Sequence, residues 1–327
     1  MRLTKHHGLG NDFLVMLDAD GERPIPPAEA RRLCERRTGI GADGVIRATP
    51  GGAIGVAGAS DHAVATMELL NADGSRAEMS GNGIRCLAQA LVLAGWALGE
   101  RIAIVTDAGL RTVRRGDDID AVTQTFAVDM GSVRIGADAP EWVVPGVARA
   151  VTVDVGNPHL VLELVDGSDA PRPDLVELGE LANAKIAGGA NLHLLRGDGA
   201  DAVSIRTYER GVGPTLACGT GACASAAAAH HWGLTGRNVR VTMPGGDVEV
   251  TLPGSGRAGA GSERGSEAGS DAESDAGSPG GAAVLRGPAT FVAAIDTDPP
   301  GHAGDPSGRG EAAAVDARGR TGEAQCR

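Results

Sequence analysis

The sequence predicts an α+β protein built from two related domains that arose by duplication. Three observations carry this. A hydroxyl or thiol directly before a Gly-x-Gly turn opens an apolar, Ala-rich stretch twice, as Ser80-Gly81-Asn82-Gly83 and as Cys218-Gly219-Thr220-Gly221. Other pieces repeat around them in the same order: Gly10-Asn11 is echoed by Gly156-Asn157, and Asn71 precedes Ser80 by the nine residues that separate Glu209 from Cys218. Short apolar runs that read as strands outnumber helical stretches, which points away from a doubly wound parallel sheet. The repeat period is far too long for a solenoid, and 327 residues suit two domains plus extra sequence.

Taken in order, the first helix is expected over residues 28–37, after a Pro pair that suits a helix start. The Ser80 turn opens a helix over 84–94. Strands follow at 126–130, 151–155 and 160–165, with a helix over 174–183 and a strand at 203–208. The Cys218 turn opens a helix over 220–232, and a strand follows at 239–243. From about 253 to 283 the chain is almost all Gly, Ser, Ala, Glu, Asp and Arg with no apolar period, so a disordered insertion is expected. Apolar patterning resumes over 284–296 as a last strand, and 297–327 reads as a loose tail. The expected division is therefore 1–124, 125–252, the insertion, a returning strand and a tail.

Composition excludes several functions. The net charge is −12 and no Lys/Arg cluster is interleaved with aromatics, so nucleic acid is not an expected partner. No apolar run approaches a membrane span, and the first residues lead into no signal-peptide core, so a cytoplasmic protein is expected. The five cysteines have no zinc-finger spacing and read as reduced thiols. Cys34, Cys86 and Cys223 fall on apolar helices as small hydrophobes, and Cys326 lies in the tail. The only lysines are Lys5 and Lys185, neither near the repeated turns in sequence. That disfavours pyridoxal phosphate, which needs a Schiff-base lysine. No Walker motif is present. Gly39-Ile40-Gly41-Ala42-Asp43-Gly44 fits Gly-x-Gly-x-x-Gly but follows a helical stretch, so it is not read as a dinucleotide site. Neither metal nor cofactor is expected.

A Gly-x-Gly turn before a helix presents free N–H groups at the positive helix end. Two such ends facing each other would grip one anionic group and place a proton-transfer residue on each face of it, which suits inversion of a carbon centre. A single such turn is an ordinary helix start; the matched pair is what points to function.

The motifs Lys5-His6-His7-Gly8-Leu9-Gly10-Asn11-Asp12-Phe13, Asn71-Ala72-Asp73-Gly74-Ser75, Asp154-Val155-Gly156-Asn157-Pro158-His159, Tyr208-Glu209-Arg210-Gly211 and the two turns occur in one order that resembles the diaminopimelate epimerases. The resemblance covers residues 1–252 and 284–296. It implies two pseudo-symmetric α/β-roll domains, each a curved sheet around a central helix, with the site in the cleft between them. It implies interconversion of LL- and meso-diaminopimelate without metal or cofactor, and a homodimer. Cys218 and Ser80 would be the proton-transfer pair, with Glu209 and His159 as supporting acid–base groups. Asn11, Asn71, Gly81, Asn82, Asn157, Asn191, Glu209, Arg210, Gly219 and Thr220 would bind the substrate, Arg210 clamping the distal carboxylate. Two residues depart from the family pattern: Ser80 stands where Cys is usual, and Pro214 where Glu is more frequent. Serine is far less acidic than a thiol and cannot rest as an alkoxide without a neighbouring base, so Cys218, a thiol at a helix N-terminus, is expected to be the resting thiolate. Two rivals remain at this stage: an epimerase, racemase or isomerase for another substrate on the same fold, and a non-catalytic amino-acid-binding protein.

Overall fold

The computed structural model describes residues 1–51, 63–167, 172–254 and 281–297. The first half runs β1 (Arg2–Gly8), β2 (Asn11–Leu17), α1 (Pro27–Cys34), β3 (Gly44–Pro50), β4 (Ala65–Asn71), β5 (Arg76–Ala77), α2 (Gly81–Leu93), β6 (Arg101–Thr106) and β7 (Gly109–Asp118). The strands β8 (Thr123–Ser132) and β9 (Arg134–Asp138) follow. The second half runs β10 (Val147–Asp154), β11 (Pro158–Leu164), α3 (Leu175–Lys185), β12 (Asn191–Gly197), β13 (Ala202–Glu209), β14 (Gly213–Thr215), α4 (Gly219–His231), β15 (Asn238–Met243), β16 (Gly246–Thr251) and β17 (Ala282–Asp296).

The two halves repeat strand for strand. The parallel pair β2–β3 is matched by β11–β12, and the parallel pair β4–β6 by β13–β15. The antiparallel hairpin β6–β7 is matched by β15–β16. This is the α/β-roll architecture, with α2 and α4 as the central helices. Eleven of α2's thirteen residues are buried, among them Ile84, Leu87 and Leu91 on one stripe. Each such aliphatic side chain contributes about 1.5–3 kcal/mol over leaving it in water. The core of α4 is instead made of alanines, Ala222, Ala224 and Ala226 to Ala229, whose small side chains let the sheet approach closely.

The halves are tied together by two long strands. β8 pairs with β7 of the first half, and β9 continues to pair with β10 of the second. β17 pairs with β16 of the second half, then crosses to pair with β1, from His7↔Thr290 to Arg2↔Asp296. In the middle β8 and β17 pair with each other, Ala282↔Ser132 through Thr290↔Thr123. Thr125 lies inside β8, in the strand both halves share.

Among the boundaries that move, two have a visible local cause. α1 stops at Cys34, not at residue 37, because Glu35 turns to extended backbone and its carboxylate accepts from the Arg37 and Thr38 N–H groups. β17 starts at Ala282, since Ala282 and Ala283 already pair with Ser132 and Gly131. Most of the expected insertion and tail, with Cys326, lies outside the described residues. Among the described residues no helix is long and apolar enough to cross a membrane.

Candidate active site

The two Gly-x-Gly turns begin α2 and α4, and their caps are near copies. Ser80 has φ −135°, ψ 125°, and its Oγ accepts from Gly83 N–H at 3.0 Å. Cys218 has φ −134°, ψ 113°, and its Sγ accepts from Gly221 N–H at 3.4 Å. Extended backbone and a side-chain acceptor three residues ahead are what an N-cap requires. The helical ladder begins with Ile84 N–H to Ser80 O and Ala222 N–H to Cys218 O. The N–H groups of Gly81, Asn82, Gly219 and Thr220 therefore have no partner within their helices and carry the positive ends of both dipoles.

These ends abut. A Cβ placed on Gly219 would lie 3.2 Å from Gly81 Cα and 3.8 Å from Asn82 N. A side chain at Gly219 would crowd the Gly81 backbone, whereas one at Gly81 would meet chiefly the Met130 side chain, with Gly219 Cα at 3.5 Å. Asn82 fastens the junction: its amide donates to Asn11 Oδ1 at 3.0 Å and, across the halves, to Ala217 O at 3.3 Å. Arg85 holds Asn82 from below, donating to Asn82 Oδ1, Gly81 O and Pro288 O. Arg85 is fully buried with no carboxylate partner among the described residues, and burial lowers its pKa to about 10. Its guanidinium is thus anchored at the first turn of α2, on Gly81 O and Asn82 Oδ1.

Cys218 is buried, with Thr220 Oγ1 3.5 Å from its Sγ. Burial, then the neighbouring Glu209 charge, push its thiol well above the ordinary range. Glu209 is raised by burial against a hydrogen bond from Thr215 Oγ1 at 2.7 Å. The expectation of a resting thiolate is thus corrected. The helix end does favour the anion through Gly221 N–H, but desolvation and a carboxylate at the same sulfur outweigh it. Burial and the Glu209 charge thus favour the thiol over the thiolate. Cys86 and Cys223 are pushed up to about 12 by burial and sit in the core as inert hydrophobes.

His159 is buried, with Nε2 2.8 Å from Asn157 Oδ1 and Nδ1 2.8 Å from His193 Nε2. Burial lowers its pKa well below the usual value, with His193 and Arg210 adding to the effect. Asn191 Oδ1 accepts from the Arg210 N–H at 2.9 Å, and Arg210 Nη1 donates to Gly188 O, leaving the rest of the exposed guanidinium open. Asn71 donates to Ser75 Oγ at 3.0 Å. The structure therefore brings together Ser80, Gly81, Asn82, Asn11, Cys218, Gly219, Thr220 and Glu209, with Asn157–His159 and Asn191–Arg210 as two further pairs. Neither Glu209 nor His159 has a described hydrogen bond to Ser80. Pro214 is exposed opposite Tyr208 in the three-residue strand β14, where the missing donor costs the sheet little.

Three residues escaped the sequence reading. Arg85 is a charge in an apolar helical run, and His193 a polar residue at an inward position of Leu192-His193-Leu194; both are signals of buried polar function. Thr215 carried no signal.

Residues 3–136 and 151–266 match the family model described as diaminopimelate epimerase. The chain belongs to the diaminopimelate epimerase family. A family member from Mycolicibacterium smegmatis is 36% identical over 312 residues, covering 91% of this chain and 97% of that protein. Another, from Erythrobacter litoralis, is 41% identical over 258 residues, covering 76% of this chain and 88% of that protein. Among solved structures, a phenazine biosynthesis protein of the PhzF family from Bacillus anthracis aligns with TM-score 0.63 at 16% identity, over 90% of this chain and 98% of that one. A hydroxyproline epimerase from Agrobacterium vitis with bound trans-4-hydroxy-L-proline aligns with TM-score 0.61 at 17% identity, over 90% and 91%. At such identities these two show the family's fold.

Proposed function

We propose that this protein interconverts LL- and meso-2,6-diaminopimelate by proton transfer at one α-carbon, without metal or cofactor, with Ser80 and Cys218 on opposite faces of that carbon. The observation that supports these roles most is the abutment of the two capped helix ends, Gly81 against Gly219. The α-carboxylate sits against the N–H groups of Gly81, Asn82, Gly219 and Thr220, where its growing negative charge in the carbanion is stabilised. Glu209 accepts the Cys218 proton. The thiolate, held by Gly221 N–H, takes the α-hydrogen and becomes S–H again. Ser80, whose lone pair is held by Gly83 N–H, gives its own proton to the opposite face. Solvent then returns a proton to the Ser80 oxygen and takes one from Glu209, which restores the starting site.

The distal end of the substrate is itself an amino acid. Arg210 would fork its carboxylate, with Asn11, Asn71, Asn157 and Asn191 as amide partners and His159 supporting Asn157. The matched elements of the two halves support domains of 1–124 and 125–252, joined through β8 and β17, with an insertion that ends before Ala282, where β17 begins, and 297–327 a tail. The four described cysteines are free thiols, which suits the reducing cytoplasm. A homodimer is proposed on the family resemblance.

The test is deuterium incorporation set against inversion, by NMR in deuterated buffer with LL-diaminopimelate. Cys218→Ala should abolish both. Ser80→Ala should stop epimerisation yet leave slow exchange with retained configuration from the Cys218 face. Ser80→Cys should preserve or raise turnover. Full epimerisation by Ser80→Ala would refute the two-residue scheme, and no exchange by the wild type would refute the activity.

A further inference from the structure

Beneath the N-terminal turn of α4 the second half carries a polar column that the first half lacks. His159, His193 and Thr207 stand on adjacent strands, with His193↔Thr207 in register between β12 and β13. All three are buried. His159 Nδ1 lies 2.8 Å from His193 Nε2, and His193 Nδ1 lies 3.0 Å from Thr207 Oγ1. The sheet positions that repeat them in the first half are Phe13, Ile46 and Leu69, all core hydrophobes. The ring of His193 packs against the Cys218 turn itself: a Cβ on Gly221 would fall 2.2 Å from its Cε1. A buried imidazole pair is retained against the apolar solution that the same fold uses on its other side.

The chain of contacts has only two self-consistent directions, because a neutral imidazole donates from one nitrogen and accepts at the other. If Thr207 accepts from His193, the Thr207 hydroxyl proton has no described acceptor in the core, and an unsatisfied buried donor is costly. If Thr207 donates, every link is satisfied: Oγ1–H to His193 Nδ1, His193 Nε2–H to His159 Nδ1, and His159 Nε2–H to Asn157 Oδ1. The end of the chain is half-buried Asn157, whose Nδ2 has no described partner in the protein.

We propose that Thr207 and His193 are positioning residues that lock His159 as its Nε2–H tautomer, and so fix the Asn157 amide with its oxygen inward and its NH₂ presented to a substrate carboxylate. The consequence for substrate rests on the proposed diaminopimelate reading; the tautomer does not. His159 is then a donor with its other nitrogen occupied, so it shapes the binding site and removes no proton.

The decisive measurement is ¹⁵N NMR of histidine-labelled full-length protein at pH 7.5, with single-histidine substitutions for assignment. His159 and His193 should both show a protonated Nε2 and an unprotonated Nδ1. In Thr207→Val the last donor is lost, and His159 should shift to the Nδ1–H tautomer or a mixture. KM for diaminopimelate should rise about 5–30-fold, with kcat changed less. Thr207→Ser keeps the hydroxyl and should restore the wild-type tautomer and KM. A Nδ1–H tautomer for His159 in the wild type overturns the proposal, as does Thr207→Val that alters neither tautomer nor KM. An inactive but folded wild type with both histidines in the Nε2–H form would refute the substrate reading and leave the tautomer lock standing.

Discussion

Gly219→Ala tests the abutment of the helix ends most directly. The new methyl would sit 3.2 Å from Gly81 Cα, against backbone that cannot rotate away. The two ends must part by a few tenths of an ångström, an overpacking cost of about 1–3 kcal/mol. Part of it is offset, because alanine is favoured over glycine in a helix by up to about 1 kcal/mol. Net stability should thus fall by up to about 3 kcal/mol, which corresponds to several degrees in Tm. Activity should suffer more, since the four N–H groups that hold the carboxylate move relative to one another. Misplacement of this order costs about 10–100-fold in kcat/KM. Two companions calibrate the result. Gly81→Ala meets the flexible Met130 Cε at 3.1 Å and Gly219 Cα only at 3.5 Å, so its loss should be smaller. Gly197→Ala meets nothing within 4 Å and should be neutral. The assay is epimerase kinetics beside thermal melts for all three. Wild-type kcat/KM in Gly219→Ala, or a larger loss in Gly81→Ala, would refute the geometry from which the site is built.

Four further outcomes are expected. Glu209→Gln removes the acceptor beside the Cys218 thiol, and kcat should fall about 10²–10⁴-fold with substrate affinity little changed; an unchanged kcat would remove Glu209 from proton transfer. Arg210→Lys keeps charge but loses the planar fork, and binding should weaken by about 1–3 kcal/mol in a calorimetric titration; unchanged affinity would take Arg210 out of the site. Burial lowers His159 well below 6.5 and holds His193 at about 3. Both stay neutral in the fold while the unfolded chain takes up protons, so their contribution is complete above about pH 6.5 and is lost as pH falls toward the folded values. Each adds a slope of up to about 1.4 kcal/mol per pH unit, and His193→Leu should flatten urea-measured stability between pH 6.5 and 4.5; an equal slope would contradict neutral burial. Replacing residues 255–280 with a short Gly-Ser turn should leave Tm and turnover near wild type, because β16 and β17 already pair at Thr251↔Val284 across that connection; insoluble protein would contradict this.

Much of this molecule is local and therefore legible in the sequence. An N-cap is a contact between residues three apart, so Ser80 and Cys218 announce the starts of α2 and α4 by themselves. Alternating apolar residues mark strands over five or six positions, and the order of motifs carries the family. The duplication, visible as paired turns, implies that the two helix ends are equivalent. What the sequence could not decide is how these pieces meet. That β8 and β17 cross between halves depends on pairing partners more than 150 residues apart, such as Thr123 and Thr290. The protonation of Cys218 went against its local signal. A helix end lowers a thiol's pKa through groups within one turn, whereas desolvation and Glu209 raise it through atoms that only folding brings near. Arg85 and His193 stand out in the sequence only as polar residues in apolar stretches, and Thr215 not at all, for the same reason: such a residue has meaning only through its partners. Caps and periodicity act along the chain, but burial and charge act through space, and only the tertiary structure sets those distances.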